Sequence, residues 1–324
     1  MNIKEVWDYY SEDLELAEKK IAASLIPVEP VISEVGKHIF SGGGKRIRPI
    51  LVILCSKISG YSGDKIGILA SSIESIHTAS LLHDDVVDGA KLRRGRPPAH
   101  SLWGNQIAVL AGDYFYSNAL RLANSLENQK IMNALSSATA KMAEKELKQL
   151  LLKKNPDTSE KEYMEIITGK TATLMSATSV SGALLGNVSK EKVAALESFG
   201  LKLGMAFQIA DDILDYMADE NALGKNLGKD LEEGKITLPL IYLLKKTSNS
   251  ETARVKEIIN SEIISETDLV YIQTLLSRYR SIEQSYEKAG AIKKEADAEL
   301  EIFEDSIEKK ALLSLSNYAL SRNK

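Results

Sequence analysis

The sequence LLHDDVVD, residues 81–88, places three aspartates inside an apolar run. At 3.6 residues per turn, Asp84 and Asp88 share one face of a helix, and Asp85 lies beside them. Three like charges this close together repel one another unless positive charge lies between them. The stretch therefore predicts a helix end that holds a cation.

The same pattern returns in FQIADDILDY, residues 207–216, with Asp211, Asp212 and Asp215. A single aspartate on a helix is usually a solvated residue or a cap. Apolar side chains flank both of these triplets, which predicts carboxylates that are partly buried and need partners. Mg²⁺ prefers oxygen ligands, and it typically takes one or two carboxylates together with substrate phosphate oxygens. We expect several Mg²⁺ ions around one diphosphate, with structural salt bridges as the alternative.

Composition narrows the class of protein. The 324 residues are 44% hydrophobic and 27% charged, with a net charge of −4. These values suit a globular protein and give no basic field for nucleic acid. One cysteine, Cys55, excludes an internal disulfide and fits a reducing compartment, so we expect a cytoplasmic protein. The N-terminus lacks the pattern of a signal peptide, and no apolar run approaches the roughly 18 residues of a membrane span.

The spacing of the prolines predicts a nearly all-α chain. Long stretches without proline are rich in Ala, Leu, Glu and Lys, which are strong helix formers. No linker composition separates the two acidic motifs, so we expect one large helical domain over 1–324. The expected helices cover about 3–25, 30–40, 49–58, 64–88, 101–126, 130–153, 160–186, 190–219 and 236–247, followed by two or three in 251–324.

Basic residues accompany the acidic motifs. SGGGKRIRP, residues 41–49, places Lys45, Arg46 and Arg48 directly after three glycines. Glycine-rich turns expose backbone N–H groups to anions, and arginine binds phosphate oxygens in pairs. Cations also follow each triplet: Arg93 and Arg94 the first, and Lys225, Lys229 and Lys235 the second. Metal ions together with such cations can neutralise a diphosphate.

Two further features stand close to these motifs. Glu74 and His77 match the Glu-x-x-His element of di-iron bundles, but no second copy exists in the sequence. His77 lies two turns before Asp84 on one face, so it lines the same cavity or is a core histidine. Gly169-Lys170-Thr171 falls inside a predicted helix, where a kink would free backbone carbonyls and expose Lys170. A plain helix irregularity is the alternative.

Several motifs together resemble the trans-isoprenyl diphosphate synthases, the polyprenyl synthetase family. They are GGGKRIRP, LLHDDVVDGAKLRRG, GDYFYSNAL, GKTATL, FQIADDILDY and GKNLGKDLEEGKITLP, and they span roughly 35–245. The resemblance implies a single bundle of long, mostly antiparallel helices around a deep central cavity. It also implies that the two aspartate motifs face each other across the mouth of that cavity.

The resemblance implies roles for individual residues. It makes Asp84, Asp88 and Asp211 Mg²⁺ ligands, with Asp85, Asp212 and Asp215 in support and three ions per active site. The isopentenyl diphosphate pocket would contain Lys45, Arg48, His77 and Arg94. The allylic-substrate side would contain Arg93, Lys170, Thr171, Gln208, Lys225 and Lys235.

The implied reaction is a head-to-tail (1′-4) condensation of isopentenyl diphosphate with an allylic diphosphate. Mg²⁺ and cations stabilise the departing pyrophosphate, which lowers the barrier to C–O cleavage. Oxygens near Lys170, Thr171 and Gln208 would stabilise the allylic cation in a site that excludes water. The double bond of isopentenyl diphosphate then attacks, and a proton leaves to pyrophosphate.

Product length is expected to depend on the helix of the first motif. Ala79 and Ser80 are small, and this pair resembles the one in long-chain synthases of quinone side chains. Ile76 and Ile73 lie about one turn farther from the aspartates on the same helix. We predict an all-trans product of about thirty to forty carbons, since cavity size limits the ligand. A tyrosine at Ala79 is expected to shorten the product.

Three other functions stay open. Ile76 or a residue of a neighbouring helix could close the cavity and give the twenty-carbon geranylgeranyl diphosphate. A terpene cyclase usually carries a different second metal motif, and a non-catalytic subunit of a two-component synthase lacks the aspartates.

The resemblance also implies a homodimer, and a membrane-soluble product implies peripheral membrane contact for its release.

Overall fold

A computed structural model describes residues 1–23, 29–217 and 228–321. Within those ranges the chain forms helices and no strand, and an isolated β-bridge joins Arg93 and Arg96. The predicted all-α fold class is confirmed. The α-helices are α1 Ile3–Tyr9, α2 Ser11–Ala23, α3 Pro30–Ser41, α4 Ile47–Ile58, α5 Lys65–Val87, α6 Ala99–Trp103, α7 Asn105–Asn124, α8 Gln129–Leu151, α9 Glu160–Ile167, α10 Thr173–Ala183, α11 Lys190–Tyr216, α12 Lys229–Glu232, α13 Leu238–Leu244, α14 Asn249–Asn260, α15 Glu266–Arg278, α16 Ser281–Glu299 and α17 Ile307–Ser321.

Three predicted helices are wrong in extent, and the number of helices predicted for the C-terminal region is also wrong. The first is broken at Tyr10, whose ring is buried and whose hydroxyl donates to Glu308 Oε1 at 3.3 Å. The helix predicted over 101–126 is two helices, because Gly104 adopts a φ of 85°. A π-helical turn, Thr168–Ala172, separates α9 from α10. The region after 245 holds four helices, α14 to α17, instead of two or three.

The described residues fall into two compact units that alternate along the chain. The first contains 1–23, 29–139, 177–197 and 300–315, and the second contains 140–176, 198–217, 228–299 and 316–321. The prediction of a single domain over 1–324 stays a prediction.

Helix α5 is the central element of the first unit. It packs against α2, α4 and α7, and the side chains of Ile66, Leu69, Ile73 and Ile76 are almost completely buried. Burying a side chain of this size contributes about 1.5–3 kcal/mol. Ser72 donates a hydrogen bond to the carbonyl of Ala119 at 2.7 Å, which fixes the register of α5 against α7. This packing fixes the position of the aspartates at the end of α5.

The core of the second unit surrounds the last turns of α11. Ile209 and Ile213 are completely buried there in a cluster that also takes side chains from α9, α13, α14, α15 and α16. Tyr163 of α9 and Tyr216 of α11 are buried in the same cluster. The second acidic motif is thus rigidly supported on its apolar side.

One helix among the described residues, α11, is long and apolar enough to cross a membrane by length and composition. The mean hydropathy of its most apolar 18-residue window is 1.2, and half of that window is buried against protein. The window differs from the expectation that no apolar stretch approaches the length of a membrane span. A buried core helix passes the same test, so the finding is weak support for a membrane span.

Candidate active site

The first acidic motif lies at the C-terminal end of α5. Asp84 and Asp88 are half-buried, and the N–H of Asp88 donates to the carbonyl of Asp84 at 2.8 Å as it caps the helix. The negative end of a helix dipole disfavours carboxylates, so this position requires positive charge nearby. Burial, followed by the charge of Asp84, raises the pKa of the Tyr116 hydroxyl to about 12. The Asp84 carboxylate therefore acts on Tyr116 of α7.

Asp85 has a different environment from its two neighbours. It is buried, and its Oδ1 accepts hydrogen bonds from Nε of Arg93 at 2.9 Å and from Nη2 of the same side chain. The carboxylate is thereby neutralised within the protein. This contact fits the supporting role predicted for Asp85, and it engages part of the Arg93 guanidinium, which was predicted to bind the allylic substrate.

The glycine-rich loop, residues 42–46 between α3 and α4, is hydrogen-bonded to the turn that follows α5. Arg94 donates to the carbonyl of Gly43, a residue with a φ of 73°. Arg96 donates to Ser41 Oγ at 3.2 Å. The structure thus brings together the loop after α3 and the arginines after the first acidic motif, which the sequence separates by about fifty positions.

Arg46 joins this loop to three helices. Its Nε donates to Glu18 of α2 at 2.9 Å, its Nη1 lies 3.5 Å from Glu74 of α5, and its Nη2 donates to the carbonyl of Phe40 at 3.2 Å. Its backbone adopts a left-handed φ of 47° at the start of α4. Arg46 therefore has structural partners and was not among the residues predicted to bind substrate.

Trp7 also contacts the loop. Its indole nitrogen donates to the carbonyl of Lys45 at 3.1 Å. This role of Trp7 could not be predicted, because a tryptophan in an amphipathic helix gives no signal of a partner 38 positions away. Lys45 itself was predicted to bind isopentenyl diphosphate, and the bond to its carbonyl restrains the backbone that carries its side chain.

The charged groups that act on His77 are guanidinium groups, those of Arg46, Arg48, Arg93 and Arg94. Burial lowers the pKa of His77 to well below its usual value, and the charges of Arg48 and Arg94 lower it further, so the imidazole is neutral at pH 7. Burial raises the pKa of Glu74, while Arg48 and Arg46 oppose that increase. Several guanidinium groups near a neutral histidine and one carboxyl group form an environment for an anion.

The predicted irregularity at Gly169-Lys170-Thr171 is confirmed as the π-helical turn. A side chain at Gly169 would overlap Lys145, so only glycine fits there. Lys170 is bonded within the protein and is not exposed as the kink was expected to leave it: it pairs with Glu146 and donates to Gln149 Oε1 at 2.7 Å. Both partners belong to α8 and were missed by sequence reasoning.

A chain of hydrogen bonds connects the π-helical turn with the second acidic motif. Thr171 Oγ1 donates to Gln208 Oε1 at 2.8 Å, and Gln208 Nε2 donates to Asp212 Oδ1 at 2.7 Å. The hydroxyl of Tyr163 donates to Asp212 Oδ2 at 2.7 Å. Burial raises the pKa of Asp212 to about 7 despite these donors. Tyr163 was missed, because an aromatic residue in an apolar helix looks like core.

Asp215 of the second motif binds the turn at the start of α12. Asp215 Oδ2 accepts the backbone N–H of Asp230 at 2.9 Å, while Asp211 is half-buried. Lys235, predicted to bind the allylic diphosphate, pairs with Glu233. Lys225 lies outside the described residues, so the structure gives no position for it.

The four residues predicted to set product length differ in burial along α5. Ile73 and Ile76 are completely buried. Ala79 is also completely buried, in a cluster with Val35, Leu82 and Phe115. Ser80 is half-buried, and its hydroxyl donates to the carbonyl of His77 at 2.8 Å. Of the small pair, Ala79 belongs to the packed core and Ser80 follows the face of Asp84.

The donor set suits a divalent cation shared with a ligand. In the part of the chain that the structure describes, no three His, Cys, Asp or Glu side chains converge as a metal site. At the end of α5, the half-buried carboxylates of Asp84 and Asp88 offer hard oxygen atoms. Such a set fits a metal that is completed by substrate phosphate oxygens, as Mg²⁺ usually is.

Comparisons with known proteins agree with this geometry. A sequence model described as Polyprenyl synthetase matches residues 29–276. The octaprenyl diphosphate synthase of Haemophilus influenzae is 37% identical and covers 100% of this chain and 98% of its own length. A short chain isoprenyl diphosphate synthase of Methanothermobacter thermautotrophicus is 35% identical, over 98% of this chain and 99% of its own. A crystal structure of a Caulobacter crescentus polyprenyl synthase, complexed with calcium and isoprenyl diphosphate, has a TM-score of 0.95, with 34% identity over 100% of this chain and 98% of that one.

The fold and the site together define an all-α isoprenoid synthase. The chain belongs to the polyprenyl synthetase family and is a prenyltransferase. The predicted family and enzyme class are confirmed. The roles predicted for single residues stay predictions.

Proposed function

We propose that the protein condenses isopentenyl diphosphate with an allylic diphosphate, head to tail, into a long all-trans polyprenyl diphosphate for quinone side chains. The product would contain about thirty to forty carbons, within the limit set by the cavity that buries it. The observation that carries the proposal is the full-length match to an octaprenyl diphosphate synthase. The glycine-rich loop, the arginines after α5 and the two acidic helix ends supply the charges that such substrates need.

The first unit would bind isopentenyl diphosphate. Lys45, Arg48 and Arg94 would neutralise its diphosphate, and the neutral His77 would donate a hydrogen bond to it. Burial and the neighbouring arginines keep the pKa of His77 low, so the histidine adds no further charge to this group. The ties from Arg94 to Gly43 and from Trp7 to Lys45 hold the loop in place before substrate binds.

The second unit would act on the allylic substrate. Lys170 and Lys235 would exchange Glu146 and Glu233 for the diphosphate, because a trianion attracts an ammonium group more strongly than one carboxylate does. Oxygen atoms of Thr171 and Gln208 would face the allylic carbon as its C–O bond breaks and positive charge develops. The proton lost after condensation would pass to the released pyrophosphate.

The family uses a divalent metal, and we propose that it is Mg²⁺, with three ions per active site. Asp84, Asp88 and Asp211 would hold the ions, supported by Asp85, Asp212 and Asp215. Bound Mg²⁺ would neutralise charge on the departing pyrophosphate. Isothermal titration of Mg²⁺ into the protein with inorganic pyrophosphate gives the stoichiometry, and fewer than three ions would correct the number.

One assay tests the reaction. Purified protein is incubated with Mg²⁺, isopentenyl diphosphate and a radiolabelled allylic primer, and the products are sized by chromatography. We expect products of about thirty to forty carbons. Failure of the protein to elongate any primer on its own would overturn the proposal.

A twenty-carbon product is the second candidate. It is favoured by the full-length match to a short chain isoprenyl diphosphate synthase at 35% identity. The large buried side chains of Ile73 and Ile76 could end a cavity that runs along α5. Accumulation of geranylgeranyl diphosphate in the same assay, with excess isopentenyl diphosphate, would decide for this alternative.

We also propose a homodimer that is located in the cytoplasm and contacts membranes only peripherally, to release product. An apolar surface on α6 and α7, with Leu102, Val109 and Leu110 exposed, suits an interface between two copies. Light scattering of the purified protein tests the dimer, and a mass of one chain at assay concentration would reject it. Cell fractionation and sedimentation with lipid vesicles, with and without product, test the other two statements.

A further inference from the structure

We propose that Tyr163 and Asp212 are positioning residues: they fix the side-chain amide of Gln208 and, through it, the hydroxyl of Thr171, so that oxygen atoms face the developing allylic cation. This inference rests on the proposed prenyl transfer. Neither residue needs to touch the substrate, and Asp212 needs no metal for this role. The inference assigns a purpose to Tyr163, which no sequence motif singles out.

The orientation of the Gln208 amide follows from its bond to Asp212. Its nitrogen donates to Asp212 Oδ1 at 2.7 Å, and its oxygen accepts from Thr171 at 2.8 Å. A rotated amide would place the oxygen of Gln208 against Oδ1 of Asp212, so that two acceptor oxygen atoms would face each other. Asp212 therefore determines which end of the amide faces Thr171.

The amide in turn fixes the hydroxyl of Thr171. A threonine hydroxyl has one hydrogen and two acceptor lone pairs. Because that hydrogen is donated to Gln208, the lone pairs of Thr171 point elsewhere and are available to face a cation. Gln208 Oε1 keeps a second lone pair for the same purpose. Dipoles fixed in this way stabilise developing charge without reorganising during the reaction.

Tyr163 completes the arrangement from the opposite side. Its hydroxyl donates to Asp212 Oδ2 at 2.7 Å, so both oxygens of this buried carboxyl group are bonded and the group cannot rotate. Tyr163 lies in α9, one turn before the π-helical turn that carries Thr171. The same short segment of chain therefore supplies both the support for Asp212 and the hydroxyl that Asp212 orients.

The chain offers a matched control in Tyr216. This tyrosine is buried in the same hydrophobic cluster, but its hydroxyl accepts a hydrogen bond from Thr237 at 3.0 Å. Tyr163→Phe and Tyr216→Phe each remove one buried hydroxyl from the same core. A loss that arises from core packing would affect both variants equally. A loss that arises from the orientation of Gln208 would appear in Tyr163→Phe alone.

The experiment measures kcat, the KM for each diphosphate, and the ratio of pyrophosphate released to five-carbon units incorporated. For Tyr163→Phe we expect kcat to fall about tenfold, as for other supporting hydrogen bonds, with both KM values within twofold. The ratio should rise above one, because a poorly stabilised cation is captured by water instead of isopentenyl diphosphate. Tyr216→Phe should match the wild type in all of these quantities.

A second measurement is independent of turnover. The side-chain amide protons of Gln208, recorded by nuclear magnetic resonance without metal or substrate and assigned with Gln208→Glu, should exchange slowly in the wild type and in Tyr216→Phe. They should exchange faster in Tyr163→Phe. Unchanged exchange together with unchanged kcat and coupling in Tyr163→Phe would overturn the inference, and so would equal losses in the two tyrosine variants. A wild type with a slowly exchanging amide but no elongation would instead reject the proposed function.

Discussion

Asp85 and Asp212 are the middle aspartates of the two acidic motifs, and both are almost completely buried. Asp85 is bonded to a guanidinium, that of Arg93. Asp212 is bonded to two neutral donors, the hydroxyl of Tyr163 and the amide of Gln208. Burial without a bonded cation raises the pKa of Asp212 to about 7. The same sequence pattern therefore produces two different electrostatic supports.

The difference separates two tasks. Arg93 is followed directly by Arg94, which binds the glycine-rich loop, so the first motif is linked to a region of positive charge that suits an anion. The neutral donors of Asp212 lead to Thr171, so the second motif is linked to oxygen atoms that suit a cation. Asp85 is thus linked to cationic groups, which an anionic diphosphate requires. Asp212 is linked to oxygen atoms, which the proposed allylic cation requires.

The positions four and five residues before each motif give a second comparison. Ala79 precedes Asp84 by five residues and Ala206 precedes Asp211 by five, and both alanines are completely buried in hydrophobic clusters. Four residues before the motif, the first helix has Ser80 and the second has Phe207. The two helices thus differ in side-chain volume on the face that carries the first aspartate.

The largest effect is expected from the outer aspartates. Asp84→Asn and Asp211→Asn should each lower the turnover of isopentenyl diphosphate by about 100-fold or more, because each removes charge that the proposed transition state needs. Asp85→Asn and Asp212→Asn should lower it about tenfold, as supporting groups do. The radiolabelled elongation assay measures all four variants. Equal losses in the four would remove the distinction between outer and middle aspartates.

The next effect concerns Ala79. Ala79→Tyr should destabilise the protein by about 1–3 kcal/mol, because it overfills a packed core. Ser80→Phe, which gives the first helix the side chain of Phe207, should shorten the product with little loss of stability. Thermal unfolding and product sizing are measured on both variants. A stable Ala79→Tyr variant with shorter products would return Ala79 to the cavity wall, and an unchanged product from Ser80→Phe would remove Ser80 from it.

A double-mutant cycle compares the two supports directly. The coupling between Asp85→Asn and Arg93→Met should be about 2 kcal/mol at low salt, as for hydrogen bonds to charged groups. It should decrease as salt is added, because the Arg93 side chain is 37% exposed. The cycle of Tyr163→Phe with Asp212→Asn should be insensitive to salt. Chemical denaturation supplies the free energies of unfolding, and a salt-dependent second cycle would contradict the assignment of neutral donors.

The smallest effects belong to the two carboxylates that bind Arg46. Glu18, whose side chain is 50% exposed, should contribute less than about 0.5 kcal/mol, so Glu18→Gln should be nearly silent. Glu74→Gln changes the buried partner and should raise the KM for isopentenyl diphosphate several-fold. Steady-state kinetics of the two variants provide the comparison. Silent effects of both variants would mean that the bond from Arg46 to the carbonyl of Phe40 is sufficient to hold the loop.

Helical geometry made part of this site predictable. Apolar flanks around charged triplets indicated buried carboxylates, and proline spacing indicated helices. The rotation of a helix also separates Ala79 from Asp84, since five residues correspond to about 140° around the axis. That calculation alone would have assigned Ala79 to the core. The predicted effect of Ala79 on product length rests on the family resemblance and stays a prediction.

Other features could not be predicted from one sequence. Tyr163 meets Asp212 across 49 positions, and Lys170 meets Gln149 across 21, distances at which periodicity carries no signal. The break at Tyr10 depends on its packing and on Glu308, near the far end of the chain. Each of these contacts joins distant parts of the chain, about which local helix propensity gives no information.

The bond from Trp7 to Lys45 also makes the protein its own optical reporter. The chain has two tryptophans, Trp7 and Trp103, and Trp103 lies edge-on to His38 with 5.4 Å between ring centres. Trp103→Phe would leave a single tryptophan, excited selectively above the tyrosine absorption, whose indole nitrogen donates to the backbone of the glycine-rich loop. Its emission would then follow any ligand that moves this loop, in real time and without a label.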